Sequence, residues 1–187
     1  MWLNIDSNTL RAGYPESKRC GEALCQAYKK QENLDVVIPR FTRSYGPTML
    51  KTDTKAISQF IKKAVDSENI VLKSAGTQYY SYTYVADAVA GFLTVLLKGE
   101  SGEAYNIADE ASDIMLKDLA KIIADFAGKE VVFELPDETE EAGYSKATKA
   151  RLDGSKLKKL GWNAKYDIKQ GLERTMKMLT DKQVKNG

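Results

Sequence analysis

The chain has 187 residues, 43% hydrophobic and 29% charged, the balance of a globular protein long enough for one ordinary domain or for part of a two-domain enzyme. Its formal charge is +2, from 28 basic and 26 acidic residues with no long run of one sign, so neither a nucleic-acid nor a membrane surface is indicated and a small-molecule partner is expected. Histidine is absent and the two cysteines, Cys20 and Cys25, do not share a helix face, which argues against zinc, excludes Ser-His and Cys-His nucleophiles, and leaves a reduced chain. No basic segment followed by an apolar run opens the chain, and no apolar stretch approaches bilayer length. A cytoplasmic protein is the expectation.

Residues Met1 to Gly13 lack periodicity and read as an irregular lead-in. Pro15 suits the first turn of a helix, where its missing N–H costs nothing, and it biases Tyr14 toward an extended conformation, so a helix is predicted from Pro15 to about Gln31 with Asn33 as its stop. On that helix Cys20, Ala23, Leu24 and Ala27 form an apolar stripe for packing, while Tyr14 and Lys18, one turn apart, share a different face that is free to react.

Val36-Val37-Ile38 is the core of a buried strand ending at Pro39-Arg40, and Thr42 to Leu50 reads as a loop punctuated by Gly46-Pro47. Such loops are where α/β sheets bind ligands. Ala56, Ile57, Phe60, Ile61, Ala64 and Val65 recur at helical spacing between Thr54 and Ser67. Ile70 to Leu72 and the aromatic alternation Tyr79 to Val85 follow as strands, and Asp87 opens an apolar helix, expected to be buried, that ends near Gly99. A strand over Glu103 to Ala108, a helix over Met115 to Ala127 closed by Gly128, and a strand over Val131 to Leu135 come next. The acidic segment Asp137 to Glu141 reads as an exposed loop, and helices over Ser155 to Leu160 and Ile168 to Leu179 complete the chain. Strands and helices alternate, which argues an α/β fold.

A tyrosine works as a base at neutral pH only if its pKa falls well below about 10. A lysine ammonium one turn away favours the phenolate by charge attraction, and a phenolate so placed can take the proton of an alcohol whose carbon loses hydride to a nicotinamide. Spacing alone leaves the other reading open, in which Tyr14 opens the helix and Lys18 is a solvated surface residue.

Five segments in order carry a family resemblance: Tyr14-Pro15-Glu16-Ser17-Lys18-Arg19, Arg43-Ser44-Tyr45-Gly46-Pro47, Tyr82-Thr83-Tyr84-Val85-Ala86-Asp87-Ala88, Ala104-Tyr105-Asn106-Ile107-Ala108 and Ser155 to Trp162. With them the chain resembles the C-terminal part of an extended short-chain dehydrogenase/reductase of the NAD-dependent nucleotide-sugar epimerase/dehydratase type. The resemblance implies an α/β chain holding the C-terminal part of a Rossmann-type parallel sheet plus a smaller mixed α/β substrate-binding lobe. Residues 1–48 would be a remnant of the dinucleotide domain and 49–187 mainly the nucleotide-sugar lobe, with about 85–110 returning to the Rossmann sheet.

It implies further that Tyr14 is the general base and that Lys18 is its electrostatic partner and a ligand of the cofactor ribose, with NAD as cofactor and a nucleotide sugar as substrate. Arg43 falls where relatives often carry an asparagine that contacts substrate, and Tyr80 where many carry an arginine that grips the diphosphate. Arg40 and Arg43 can each meet phosphate through a planar fork or form a structural ion pair. Lys73 and Arg151 are alternative sources of the missing charge, against a solvated role for each.

No Gly-x-Gly-x-x-Gly or Gly-x-x-Gly-x-x-Gly occurs, so the loop that cradles a dinucleotide pyrophosphate is missing. The first expectation is therefore a portion of such an enzyme that does not turn over as the isolated chain. The second is a non-catalytic nucleotide-sugar-binding or assembly module that self-associates as a homo-oligomer through uncovered faces.

Overall fold

The computed structural model describes residues 7–9, 12–134 and 148–186, the last five of these by backbone alone. Of the lead-in Met1 to Gly13, residues 1–6 and 10–11 lie outside the described residues, as does the acidic segment Asp137 to Glu141.

Helix α1 (Gly13–Glu32) starts one residue ahead of Tyr14, so Tyr14 is helical in spite of the proline behind it. Pro15, in the first turn, leaves no intrahelical bond unmade. The helix stops at Asn33, which adopts the left-handed conformation with φ 52° as the sequence suggests, and Lys29 and Lys30 in its last turn complement the dipole. The expected packing stripe fails: α1 buries none of its residues, and Leu24 is 52% exposed. What α1 meets is the carbonyl-rich turn after residue 99. Polar tethers hold it there, Gln26 Nε2 donating to the Gly102 carbonyl at 2.6 Å and Lys29 Nζ to the Ser101 carbonyl at 2.7 Å.

Strand β1 (Ile38–Phe41) begins at the last residue of the predicted apolar core and runs through Pro39 to one residue past the expected end. It pairs in parallel with a later strand at 104–107, and the Ile38 amide donates to the Glu103 carbonyl at 3.0 Å. Amides alternate in direction along a strand, so the position of the missing Pro39 N–H faces the side away from that partner, where a proline costs no ladder bond.

The expected loop after it contains a second short strand, β2 (Arg43–Tyr45). Nothing in Arg-Ser-Tyr announces a strand. Pairing decides it, because β2 lies in parallel register with β4 (Tyr79–Tyr84), Arg43 opposite Tyr82 and Tyr45 opposite Tyr84. Between them, α2 (Ala56–Val65) and β3 (Ile70–Leu72) fall where the periodicity places them.

Helix α3 (Val85–Lys98) follows β4 without a break and corrects a further expectation. Asp87, Ala88, Gly91 and Val95 are buried, but Phe92, Leu93, Leu96 and Leu97 are 40% to 78% exposed. The helix is apolar all round, and the described elements cover one side of it.

Then come β5 (Ala104–Ile107), a short 3-10 turn (Glu110–Ser112), β6 (Asp113–Met115), α4 (Leu116–Ala127) ending at Gly128 with φ 63°, β7 (Val131–Phe133) and β8 (Lys149–Ala150). Helices α5 (Ser155–Lys158) and α6 (Ile168–Asn186) complete the order. Three small sheets result: β1 with β5, β3 with β7, and a group in which β4 pairs with β2, antiparallel β6 and parallel β8.

The larger core lies among α2, α4, α6 and β4, centred on Phe60, Ile61, Leu119, Ile123 and Leu172. A smaller one joins Val95, Tyr105, Ile107, Leu157 and Trp162 around β5. No helix of the described residues is long and apolar enough to cross a membrane.

Candidate functional site

The first turns of α1 stand beside β1 and the start of β2, and between them opens a cleft of about 950 Å³. Tyr14, Ser17 and Lys18 form one wall, Arg40, Thr42 and Arg43 the other, and Ser81 and Leu152 lie on the lining as well. A second cavity of about 590 Å³ adjoins it, walled by Phe60, Val71, Leu72, Tyr80, Tyr82 and Leu116. Arg43 and Lys55 belong to both linings and so mark their junction.

Tyr14 is 71% exposed, and the Lys18 ammonium lies 5.4 Å from the centroid of its ring. Lys18 has no carboxylate partner among the described residues, so its charge is directed at the tyrosine and the open cleft. The Ser17 hydroxyl donates to the Tyr14 carbonyl at 2.7 Å.

Of the two arginines left open by the sequence, Arg40 forms the structural ion pair. Its Nε and Nη2 donate to the two Glu22 carboxylate oxygens at 2.7 and 2.5 Å. This bond, joined by Arg40's charge, holds the Glu22 carboxyl below its ordinary value of 4.5 against the opposing effect of burial. The Glu22 carboxylate thus contributes stability at neutral pH that is lost as pH falls through and below that range. In urea titrations, Glu22→Gln is expected to be less stable than the parent at pH 7, with the gap narrowing as pH falls below 4.5. A gap that does not change with pH would assign the effect to packing instead.

Arg43 is placed differently. Its guanidinium carbon sits 3.6 Å from the centroid of the buried Tyr80 ring, and it has no ion pair among the described residues. Arg151 does not reach either cavity: it lies 5.2 Å from the Tyr79 ring centroid and 3.9 Å from Asp113 Oδ2, and its side chain is 54% exposed. Lys73 lines the smaller cavity.

The structure therefore gathers Tyr14, Lys18, Arg40 and Arg43 into one cleft, puts Tyr80 in the cavity next to it, and leaves Arg151 outside both. Tyr82, on the cavity wall, has its phenol pushed up to about 12 by burial, with Arg43's charge opposing, so it stays neutral.

Sequence reasoning missed two groups here. Lys55, just before α2, reaches both linings while pairing with Asp53 at 3.3 Å. Ser81 donates to Asp113 Oδ1 at 2.6 Å and accepts from the Leu152 amide at 3.0 Å, pinning the 150–152 segment to the cleft. Burial holds the Asp113 carboxyl above its ordinary 3.8, against the pull of that hydrogen bond and of Arg151. Only folding joins Ser81 to Asp113, and no local pattern announces the pair.

Among curated relatives, UDP-glucuronic acid decarboxylase 2 of Arabidopsis thaliana is 30% identical over 177 residues, covering 94% of this chain and 38% of that protein. UDP-glucuronic acid decarboxylase 6 of the same plant is 30% identical over 172 residues, 91% of this chain and 48% of its own. The chain thus spans half or less of the length of these relatives.

Among solved structures, the dTDP-glucose 4,6-dehydratase of Bacillus anthracis in complex with NAD superposes with a TM-score of 0.79 at 22% identity, over 97% of this chain and 55% of that one. The UDP-glucuronic acid 4-epimerase of Bacillus cereus, in complex with UDP-glucuronic acid and NAD, gives 0.75 at 23% identity, over 91% and 52%. These likenesses give the fold, which is that of the C-terminal part of Rossmann-type epimerase/dehydratase structures. The sequence model of the NAD dependent epimerase/dehydratase family matches residues 5–108, and the chain belongs to that family.

Proposed function

We propose that this chain carries the acid/base pair and the nucleotide-sugar-binding lobe of an enzyme that transiently oxidises a sugar hydroxyl. The observation that supports this reading best is the convergence of Tyr14, Lys18 and Arg43 on one cleft that continues, past Arg43 and Lys55, into an aromatic-lined cavity. The names of the relatives make a uridine diphosphate sugar the first substrate class to test.

In this reading the sugar lies against Tyr14. The tyrosine oxygen accepts the hydroxyl proton, and Lys18, one turn on, stabilises the phenolate that must form first. NAD, when bound, supplies the hydride acceptor. The exposed Tyr14 and the Lys18 ammonium, with no carboxylate to neutralise it among the described residues, fit the ribose and nicotinamide end of such a cofactor. Its pyrophosphate has no counterpart here, because these residues contain no glycine-rich turn. The pairing of β1 with β5 supports assigning both strands to the cofactor side of the molecule, and β4 with its neighbours to the substrate side.

Calorimetric titration tests both halves of the proposal. UDP is expected to bind the chain, whereas NAD alone is expected to give no measurable heat. Failure of UDP to bind would remove the nucleotide-sugar reading, and micromolar NAD binding by this chain without another polypeptide would remove the claim that the pyrophosphate site lies outside it.

The exposed apolar side of α3 favours a second reading, a binding or assembly module without catalysis. Turnover of a nucleotide sugar on adding a polypeptide with the glycine-rich unit would eliminate it.

A further inference from the structure

We infer that Tyr80 is a positioning residue: its buried ring holds the Arg43 guanidinium at the junction of the two cavities, where that fork takes the diphosphate of a nucleoside diphosphate. The inference deepens the proposed function and rests on it.

The junction has the charge for this. Arg40, Lys55 and Lys63 are each engaged by a carboxylate, from Glu22, Asp53 and Glu68, whereas Arg43 has none among the described residues. An arginine so placed, half-buried between two cavities, is costly unless something else satisfies it, and an anion bridging the cavities does so. The smaller cavity, at about 590 Å³ with aromatic and aliphatic walls, has the size and lining for the nucleoside, and the larger cleft leads to Tyr14.

The role of Tyr80 follows from strand geometry. β2 and β4 run in parallel with Arg43 opposite Tyr82, so Tyr80, two residues earlier on β4 and on the same face as Tyr82, lies diagonally behind Arg43. The guanidinium carbon is 3.6 Å from the Tyr80 ring centroid, close enough for the planar fork to be held over the ring face, and the ring is fixed by burial at 7% exposure. An ammonium on a lysine stem can keep the charge there but has no planar fork to hold over the ring. The strand position that carries a tyrosine thus orients the charge that a neighbouring strand supplies.

The test is a double-mutant cycle read by calorimetry on the whole chain, with UDP and uridine as probes. Tyr80→Leu is expected to weaken UDP binding by about fivefold in the parent and to have no further effect in the Arg43→Gln background, because it acts through Arg43. Tyr80→Phe should bind UDP like the parent, and uridine, which lacks the diphosphate, should bind the parent, Arg43→Gln and Arg43→Lys alike. Arg43→Lys leaves the core ring untouched, so it decides the matter if Tyr80→Leu fails to fold; it too should weaken UDP about fivefold.

Equal loss from Tyr80→Leu in both backgrounds, a parallel loss for uridine in Arg43→Gln or Arg43→Lys, or full UDP affinity in Arg43→Lys would each overturn the inference. If UDP does not bind the parent chain at all, the underlying nucleotide-sugar reading fails first and the inference falls with it.

Discussion

Tyr14→Phe is expected to lower kcat for a nucleotide-sugar substrate by about 10²–10⁴-fold in the chain combined with a polypeptide that supplies a glycine-rich dinucleotide-binding unit. The substitution removes one oxygen from a ring that is 71% exposed, so it creates no cavity and strands no buried partner. Only the proton acceptor is lost. Folding and UDP affinity should match the parent, which separates this effect from a general weakening of the site. Lys18→Met should retain the acceptor but lose the ammonium 5.4 Å from its ring, lowering kcat less than Tyr14→Phe does while folding and UDP affinity stay parental. A Tyr14→Phe chain with more than about a tenth of parental turnover would sink the assignment, being below the range that general base catalysis contributes.

Asp87→Ala is expected to cost about 3 kcal/mol of stability, or a fall in Tm of about 10 °C. Asp87 sits in the first turn of α3 at 3% exposure. Its two carboxylate oxygens accept the backbone amides of Lys165 and Tyr166 at 2.9 and 3.0 Å, and its carbonyl accepts the Trp162 indole N–H at 3.3 Å. Together these bonds fasten the segment leading into α6 onto α3. Alanine would leave both backbone amides facing a void too small to replace the carboxylate, a penalty several times that of a surface hydrogen bond.

Tyr166 packs edge-on against Tyr84, with ring centroids 5.1 Å apart, so the loosening would reach the strand that carries Tyr80 and Tyr82. Asp87→Asn, which keeps one acceptor, should lose less. Equilibrium urea unfolding checks both variants, and a loss below about 1 kcal/mol for alanine would mean that water replaces the carboxylate at these amides.

The sequence was most legible where one element carries its own signal. The apolar period of α2, the short aliphatic run of β3 and the closing glycine of α4 each reflect a local rule, burial of one helix face or relief at a left-handed position, and each element forms where that rule places it. It was least legible where pairing decides. Strands β2, β6 and β8 have three, three and two residues, too short for alternation to register, and they exist because β4 offers them a ladder. The apolar stripe of α1 reads as a packing face and the apolar run of α3 as a buried helix, yet apolar residues report only that a surface seeks cover, not which element supplies it.

By itself, the sequence determined the α/β alternation, the family, the Tyr14–Lys18 spacing on one helix and the lack of a glycine-rich turn, because each is a property of residues adjacent along the chain or one helical turn apart. Only the tertiary structure decided that Arg40 is engaged by Glu22, that Arg43 is held over Tyr80 between two cavities, and that Arg151 turns away toward Asp113. The physical reason is range. A guanidinium carries the same charge wherever it stands, and its task is set by whichever carboxylate, ring or open cavity the fold brings within a few ångströms of it.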